Sequence, residues 1–198
     1  LIVLFIAMLI TSQYMLSFGK DPNAKVVKKS KSPLSFHPIA IIFGILSFVS
    51  FLVEGAVGDW SALYLFEDKG IVIEEAVMGV MFFNATMCIG RLLGNRLGKH
   101  LTSKQVVISG YLFGSLAMAL VVLLPGYGSM YTYLLVGISL AMVVPNLFSA
   151  MGEQNVIPMT QAVSTSTMLG YMGILMGPAL IGFIAHATSL TIAFSVLT

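Results

Sequence analysis

Apolar residues arrive in runs close to the ~20 that a membrane-crossing helix needs, with short polar punctuation between them. The runs cover residues 1–18, 38–58, 76–95, 106–124, 130–150 and 161–185, and another begins at 190. At 1.5 Å per residue each spans a hydrocarbon core roughly 30 Å thick. The pattern predicts an all-α fold, a polytopic membrane helix bundle whose connections are too short for a soluble domain.

Breaks in the pattern organise the chain. Residues 1–18 read as a lead-in helix, 19–37 as a linker and 38–198 as the main bundle. The stretch GKDPNAKVVKKSKSPLSFHP, Gly19 to Pro38, is rich in Lys, Ser and Pro and lacks helical periodicity, as a flexible linker does. Pro125, Gly126 and Gly128 mark a tight turn between two spans. Leu1 is not a start methionine and the run from 190 stops after nine residues, so the chain is expected to be a fragment with a truncated last helix.

Composition agrees with a lipid environment. Hydrophobic residues make up 58% and charged residues 9% of the 198, against roughly 25% charged in soluble domains; the mean hydropathy is +0.97. The sparse charges also carry an orientation. Lys20, Lys25, Lys28, Lys29 and Lys31 follow the first run, and Arg91, Arg96, Lys99 and Lys104 surround the end of the third. Between these basic groups lie Glu54, Asp59, Glu67, Asp68, Glu74 and Glu75 with only Lys69. The positive-inside rule places the basic loops in the cytoplasm. A lysine run flanked by two apolar spans reads as a topology signal, so no nucleic-acid partner is expected.

Several chemistries lack their residues. Cys88 stands alone, and His37, His100 and His186 share no ligand spacing, so neither a metal nor another cofactor is expected. No Ser-His or His-Glu-x-x-His arrangement occurs, which leaves no catalytic residue to nominate and argues against an enzyme.

Polar residues inside the runs remain, and charges at bilayer depth persist only where they face protein or a wet cavity. Ser47, Ser50, Glu54, Gly58 and Ser61 step by three or four and share a helix face. Glu54 is either a substrate or proton site or a carboxyl that ties two helices together. Gly55, Gly58 and Asp59 predict a helix break, with Asp59 capping a restart at Trp60. Trp60 is either a stacking platform or an interfacial anchor. A second stripe is Asn84, Cys88, Arg91 and Asn95; beside it Gly90, Gly94 and Gly98 form GxxxGxxxG, which predicts close helix packing. A third holds Ser139, Met142, Asn146 and Ser149, with Pro145 making either a cavity-lining hinge or an ordinary kink. In the sixth run Gly173, Gly177, Pro178 and Gly182 predict a tightly packed helix that bends.

These segments resemble the C-terminal half of a major facilitator superfamily transporter, preceded by the helix before it. EGAVGDWSALYL, Glu54 to Leu65, is similar to the seventh helix of the sugar-permease branch that includes fucose permease. GRLLGNRLGKH, Gly90 to His100, resembles the loop motif between helices eight and nine, except that Asn95 replaces the usual aspartate and removes its anion. Gly173, Gly177, Pro178 and Gly182 resemble the Gly-x3-Gly-Pro signature of antiporters. Here it falls in the eleventh helix, with Ser164 in place of an upstream glycine, so it does not identify an antiporter.

The resemblance implies alternating access against an N-terminal half of the same chain. Glu54, Asp59, Trp60, Asn84 and Asn146 would lie on the substrate or proton pathway, and Arg91, Asn95 and Arg96 would secure a cytoplasmic gate. Gly90, Gly94, Pro145, Gly173, Gly177 and Pro178 would serve packing and hinging. The expected function is secondary transport of a small polar solute, with a sugar favoured by the Ser, Asn and Glu stripes and proton symport by the carboxyl. The expected surroundings are the lipid bilayer of a bacterial inner membrane. A non-transporting sensor on the same scaffold, or efflux of a drug or metabolite, are the alternatives.

Overall fold

The computed structural model describes residues 37–97 and 101–198, with side chains through Gly94 and again from Leu101. The expected lead-in helix, residues 19–36 of the linker with its five lysines, and Gly98, Lys99 and His100 lie outside the described residues, as do the side chains of Asn95 and Arg96.

Eight helices follow in order: α1 (Pro38–Glu67), α2 (Ile73–Ala76), α3 (Met78–Leu97), α4 (Ser103–Leu123), α5 (Gly126–Leu140), α6 (Val143–Glu153), α7 (Met159–Ala187) and α8 (Leu190–Ser195). No strand occurs among the described residues. Local chemistry sets several starts. The His37 side chain accepts the Ile39 N–H and Pro38 occupies the first turn of α1, where a missing N–H costs nothing. Thr102 and Gln105 form a reciprocal capping box at α4. Five stretches are long and apolar enough to cross a membrane: α1, α2 with α3, α4, α5 with α6, and α7.

Two expectations about helix continuity are corrected. α1 runs unbroken through Gly55, Gly58 and Asp59 to Glu67, so Asp59 is an exposed mid-helix residue instead of a cap. A glycine in a helix interior costs only about 1 kcal/mol, and Val57, Ser61, Tyr64 and Leu65 are all buried beyond it. That packing outweighs the local preference to stop. The expected span at 130–150 is instead two helices, interrupted at Ala141 and Met142, upstream of Pro145. Pro145 has no N–H to offer, and its ring crowds the carbonyl four residues back, which belongs to Ala141. Asn146 stabilises the restart by donating both its backbone N–H, at 3.2 Å, and its Nδ2, at 2.8 Å, to the Met142 carbonyl.

α1 and α7 form the most extensive pairing, while α5 packs between α3 and α4. The α1–α7 contact is close because of its glycines. A methyl at Gly173 would overlap the Phe48 carbonyl, and one at Gly177 the Leu52 carbonyl. From the other side, a Cβ on Gly55 would stand 2.8 Å from the Ile174 carbonyl oxygen. That carbonyl is the one Pro178 leaves without its helical donor. α7 is continuous through Pro178, and Trp60 Nε1 donates to the Pro178 carbonyl at 2.9 Å while its ring lies against Gly182.

The serines expected along one face of α1 also tie helices together. Ser47 Oγ and Ser166 Oγ are 2.6 Å apart, and Ser166 donates to the Phe43 carbonyl at 3.1 Å. Ser50 pairs with the Tyr111 hydroxyl at 2.8 Å, joining α1 to α4. Gly90 and Gly94 seat side chains, those of Ala141, Ile138 and Met142, instead of a neighbouring backbone. Where α3 does meet backbone, the small residue is Gly137 of α5, set against the Phe83 carbonyl.

Candidate charge pair between the first and third helices

α1 and α3 run in opposite directions from a shared end. Glu54 lies thirteen residues before the end of α1 and Arg91 thirteen after the start of α3, so each is about 20 Å along its helix from that end. Equal depth brings them together: Arg91 Nη2 and Glu54 Oε2 are 3.6 Å apart. The sequence reading separated these two residues, one in the cavity and one at the inner gate. Helix register joins them, midway along α1 and nearer the far end of α3.

The pair is partly open, with 43% of the Arg91 side chain and 27% of the Glu54 side chain exposed. Beside it on α3, Cys88 and Asn84 are also exposed, and on α1 Gly58 faces open space with nothing within 4 Å of a would-be Cβ. The result is a polar strip one helix turn beyond a salt bridge, floored by a glycine. A charge at the centre of a spanning helix costs about 2.5–3.5 kcal/mol on insertion scales. Pairing offsets part of that cost for both, yet a partly exposed pair contributes under about 1 kcal/mol to stability. Stability alone therefore gives little reason to place two charges there.

Other nominated residues fall elsewhere. Asp59 is exposed, immediately after Gly58. Trp60 is engaged with Pro178 and Gly182, as described, and Asn146 spends its amide on the Met142 carbonyl. Ser139 and Met142 line an apolar groove of about 530 Å³ between α4 and α5, with Val106, Phe113 and Leu120 opposite. The Ser139 and Ser109 hydroxyls there turn back to the carbonyls of Leu135 and Val106. A second cavity, about 460 Å³, gathers Trp60, Glu67, Asp68 and His186 at the acidic end. The charge pair lines neither.

Sequence reasoning missed two residues at the helix ends. Lys69, the one cation in the acidic stretch, donates to the Val122 carbonyl at 2.6 Å in the last turn of α4. Glu153 accepts from Ser103 Oγ at 2.7 Å at the first turn of the same helix. A cation at the C-terminus and an anion at the N-terminus both complement the α4 dipole. Their sign, opposite to that of their surroundings, was the available signal.

Five apolar crossings define an integral membrane protein of the polytopic helical class. The chain is similar to an uncharacterized MFS-type transporter of Yersinia pestis, 39% identical over 78% of this chain and 40% of that protein. It is similar to the membrane protein MosC of Rhizobium meliloti, 32% identical over 76% of this chain and 37% of that protein. It is also similar to the uncharacterized transporter y4wD of Sinorhizobium fredii, at 31% over 79% and 42% respectively. The chain thus spans about two fifths of the length of these relatives. No family model and no solved structure matches it. The relatives support membrane transport and an MFS-type transporter.

Proposed function

We propose that this bundle is the C-terminal half of a twelve-helix MFS-type transporter that moves a small polar solute by alternating access. The single observation that carries the reading is the Glu54–Arg91 pair, set inside two apolar helices on a partly open face. A carboxylate and a guanidinium at that depth offer both acceptors and donors to a solute, as an intramembrane site must. The small residues of the α1–α7 interface let the bundle rock as a rigid unit against a partner half. On this reading the open strip of Gly58, Asn84 and Cys88 faces the transport path, Asp59 lies along it, and the polar character of the strip favours a hydroxylated solute such as a sugar. A carboxyl group can take up and release a proton, which suits Glu54 to proton symport. The basic loops face the cytoplasm of a bacterium by the positive-inside rule, with Arg96 and Asn95 at that end.

The test is solute uptake by the full-length parent in proteoliposomes, comparing wild type with Glu54→Gln under an inward proton gradient. The substitution should abolish proton-driven accumulation while leaving the protein monodisperse. Unchanged accumulation removes Glu54 from the pathway. A sensor on the same scaffold would show no accumulation of any solute in the wild type.

A further inference from the structure

We propose that Glu54 and Arg91 form an exchangeable charge pair: a proton on the Glu54 carboxylate and a solute bearing one carboxylate on the Arg91 guanidinium bind together. The solute's carboxylate takes the place of Glu54 at the guanidinium. This rests on the transporter reading above and deepens it to a substrate class, the hydroxylated monocarboxylates.

Charge balance carries the argument. With the site empty, Glu54 neutralises Arg91 across 3.6 Å. Once a proton from water occupies Glu54, the guanidinium is left without its counter-charge on an apolar helix, the costly arrangement that intramembrane charges avoid. A neutral solute leaves that charge uncovered and a dianion overshoots it. A monocarboxylate restores neutrality and matches the planar guanidinium with two parallel hydrogen bonds. Among the described residues no other charged group stands beside the pair. On α1 the nearest is Asp59, five residues on and exposed. Among the described side chains of α3 the nearest titratable group is the Cys88 thiol, and the α7 face against α1 is Gly170, Gly173, Ile174 and Gly177, with Tyr171 stacked on Phe51 and His186 at the far end. Glu74 and Glu75 of α2 sit at the acidic end, Tyr111 of α4 is bonded to Ser50 and Leu46, Tyr133 of α5 is fully buried and Glu153 of α6 is held by Ser103. The open space at Gly58 and the Asn84 amide give the rest of the solute room and a hydrogen-bonding partner.

Cys88 makes the idea testable without knowing the substrate, because it is exposed, lies three residues before Arg91, and residues so spaced are roughly 5–6 Å apart at Cβ. In the full-length parent with Cys88 as its only cysteine, labelling rates are compared for an anionic methanethiosulfonate (sulfonatoethyl) and a cationic one (trimethylammonioethyl). Their ratio cancels the thiol's own pH dependence. Glu54→Gln, or acidification of wild type, should raise the anionic-to-cationic ratio about tenfold, as an uncovered charge at that range implies. Glu54→Gln combined with Arg91→Gln should return it to the wild-type value. N-ethylmaleimide labelling and size-exclusion profiles verify that each variant is folded. A ratio that does not move with Glu54→Gln or pH, while both charged reagents reach Cys88, overturns the exchange and leaves the transporter reading standing. If N-ethylmaleimide labels Cys88 but neither charged reagent does, the face lies in lipid and both fail.

Discussion

A single methyl group placed at two glycines should have opposite effects, and the difference follows from geometry alone. At Gly173 an added Cβ would overlap the Phe48 carbonyl oxygen, a backbone atom that no rotamer change can move aside. The helices must separate, and because Gly177 and Gly55 also meet backbone carbonyls along the same seam, separation loosens the whole α1–α7 interface. Overpacking of this kind costs about 1–3 kcal/mol. Replacing glycine by alanine in a helix returns up to about 1 kcal/mol of backbone entropy, so the net loss for Gly173→Ala is about 2 kcal/mol at most. At the ~2–4 °C per kcal/mol of domains this size, Tm should fall, by about 8 °C at most. Gly58→Ala meets nothing within 4 Å and keeps only the entropic gain, so its Tm should hold or rise slightly. The assay is thermal unfolding of the two purified variants in one detergent, followed by size-exclusion recovery of monodisperse protein. Equal Tm values for the two variants would refute the argument that the seam is held at backbone contact.

Three further substitutions probe particular contacts. Trp60→Phe removes the indole donor to the Pro178 carbonyl and should lower stability by about 1 kcal/mol while sparing uptake; a loss of uptake with unchanged Tm would instead make Trp60 a solute contact. Lys69→Met deprives the last turn of α4 of its cation and of the bond to Val122, and should speed amide exchange at residues 120–124, by the equivalent of about 0.5–1 kcal/mol; unaltered exchange there would show the cap to be inert. Tyr133→Phe deletes a buried hydroxyl with no partner among the described residues, so Tm should rise, since an unsatisfied group costs about 1–3 kcal/mol. A fall in Tm would reveal a bond that the hydroxyl makes.

The architecture was legible because lipid imposes a single rule, that backbone groups be satisfied within the helix, and the runs of apolar residues obey it. Local signals misled where packing competed with them. Gly55, Gly58 and Asp59 look like a stop, yet Gly55 is there for the close approach of Ile174 and the helix continues. Gly90 and Gly94 look like a backbone contact, yet the neighbour that comes close is Gly137, whose spacing carries no motif. Pro145 suggested a hinge or a kink within one span, whereas the helix is interrupted outright, four residues earlier, where its ring meets the Ala141 carbonyl. The charge pair was hidden for another reason. Glu54 and Arg91 were each visible as exceptions, but their contact depends on where two antiparallel helices begin and end, and helix ends are what periodicity resolves least well.

The two sign-inverted charges at the helix ends sharpen what the pair is for. Lys69 and Glu153 each break the segregation of acids from bases, and each is accounted for by a terminus of α4 that needs that charge. Glu54 and Arg91 have no such use. They lie in helix interiors, Arg91 six residues before the end of α3, make no hydrogen bond to a backbone carbonyl or N–H among the described residues, and stand 3.6 Å apart on a face that is partly open. Charges with a structural task in this bundle are fully engaged with backbone or hydroxyl groups at 2.6–2.7 Å. A pair that is longer, more exposed and free of backbone partners among the described residues is one that a proton and an anion can separate without unfolding anything. That contrast within one molecule is why the mechanism is placed at Glu54 and Arg91 and not at the acidic end, where Asp68 is held by Thr191 and Glu75 by Tyr127.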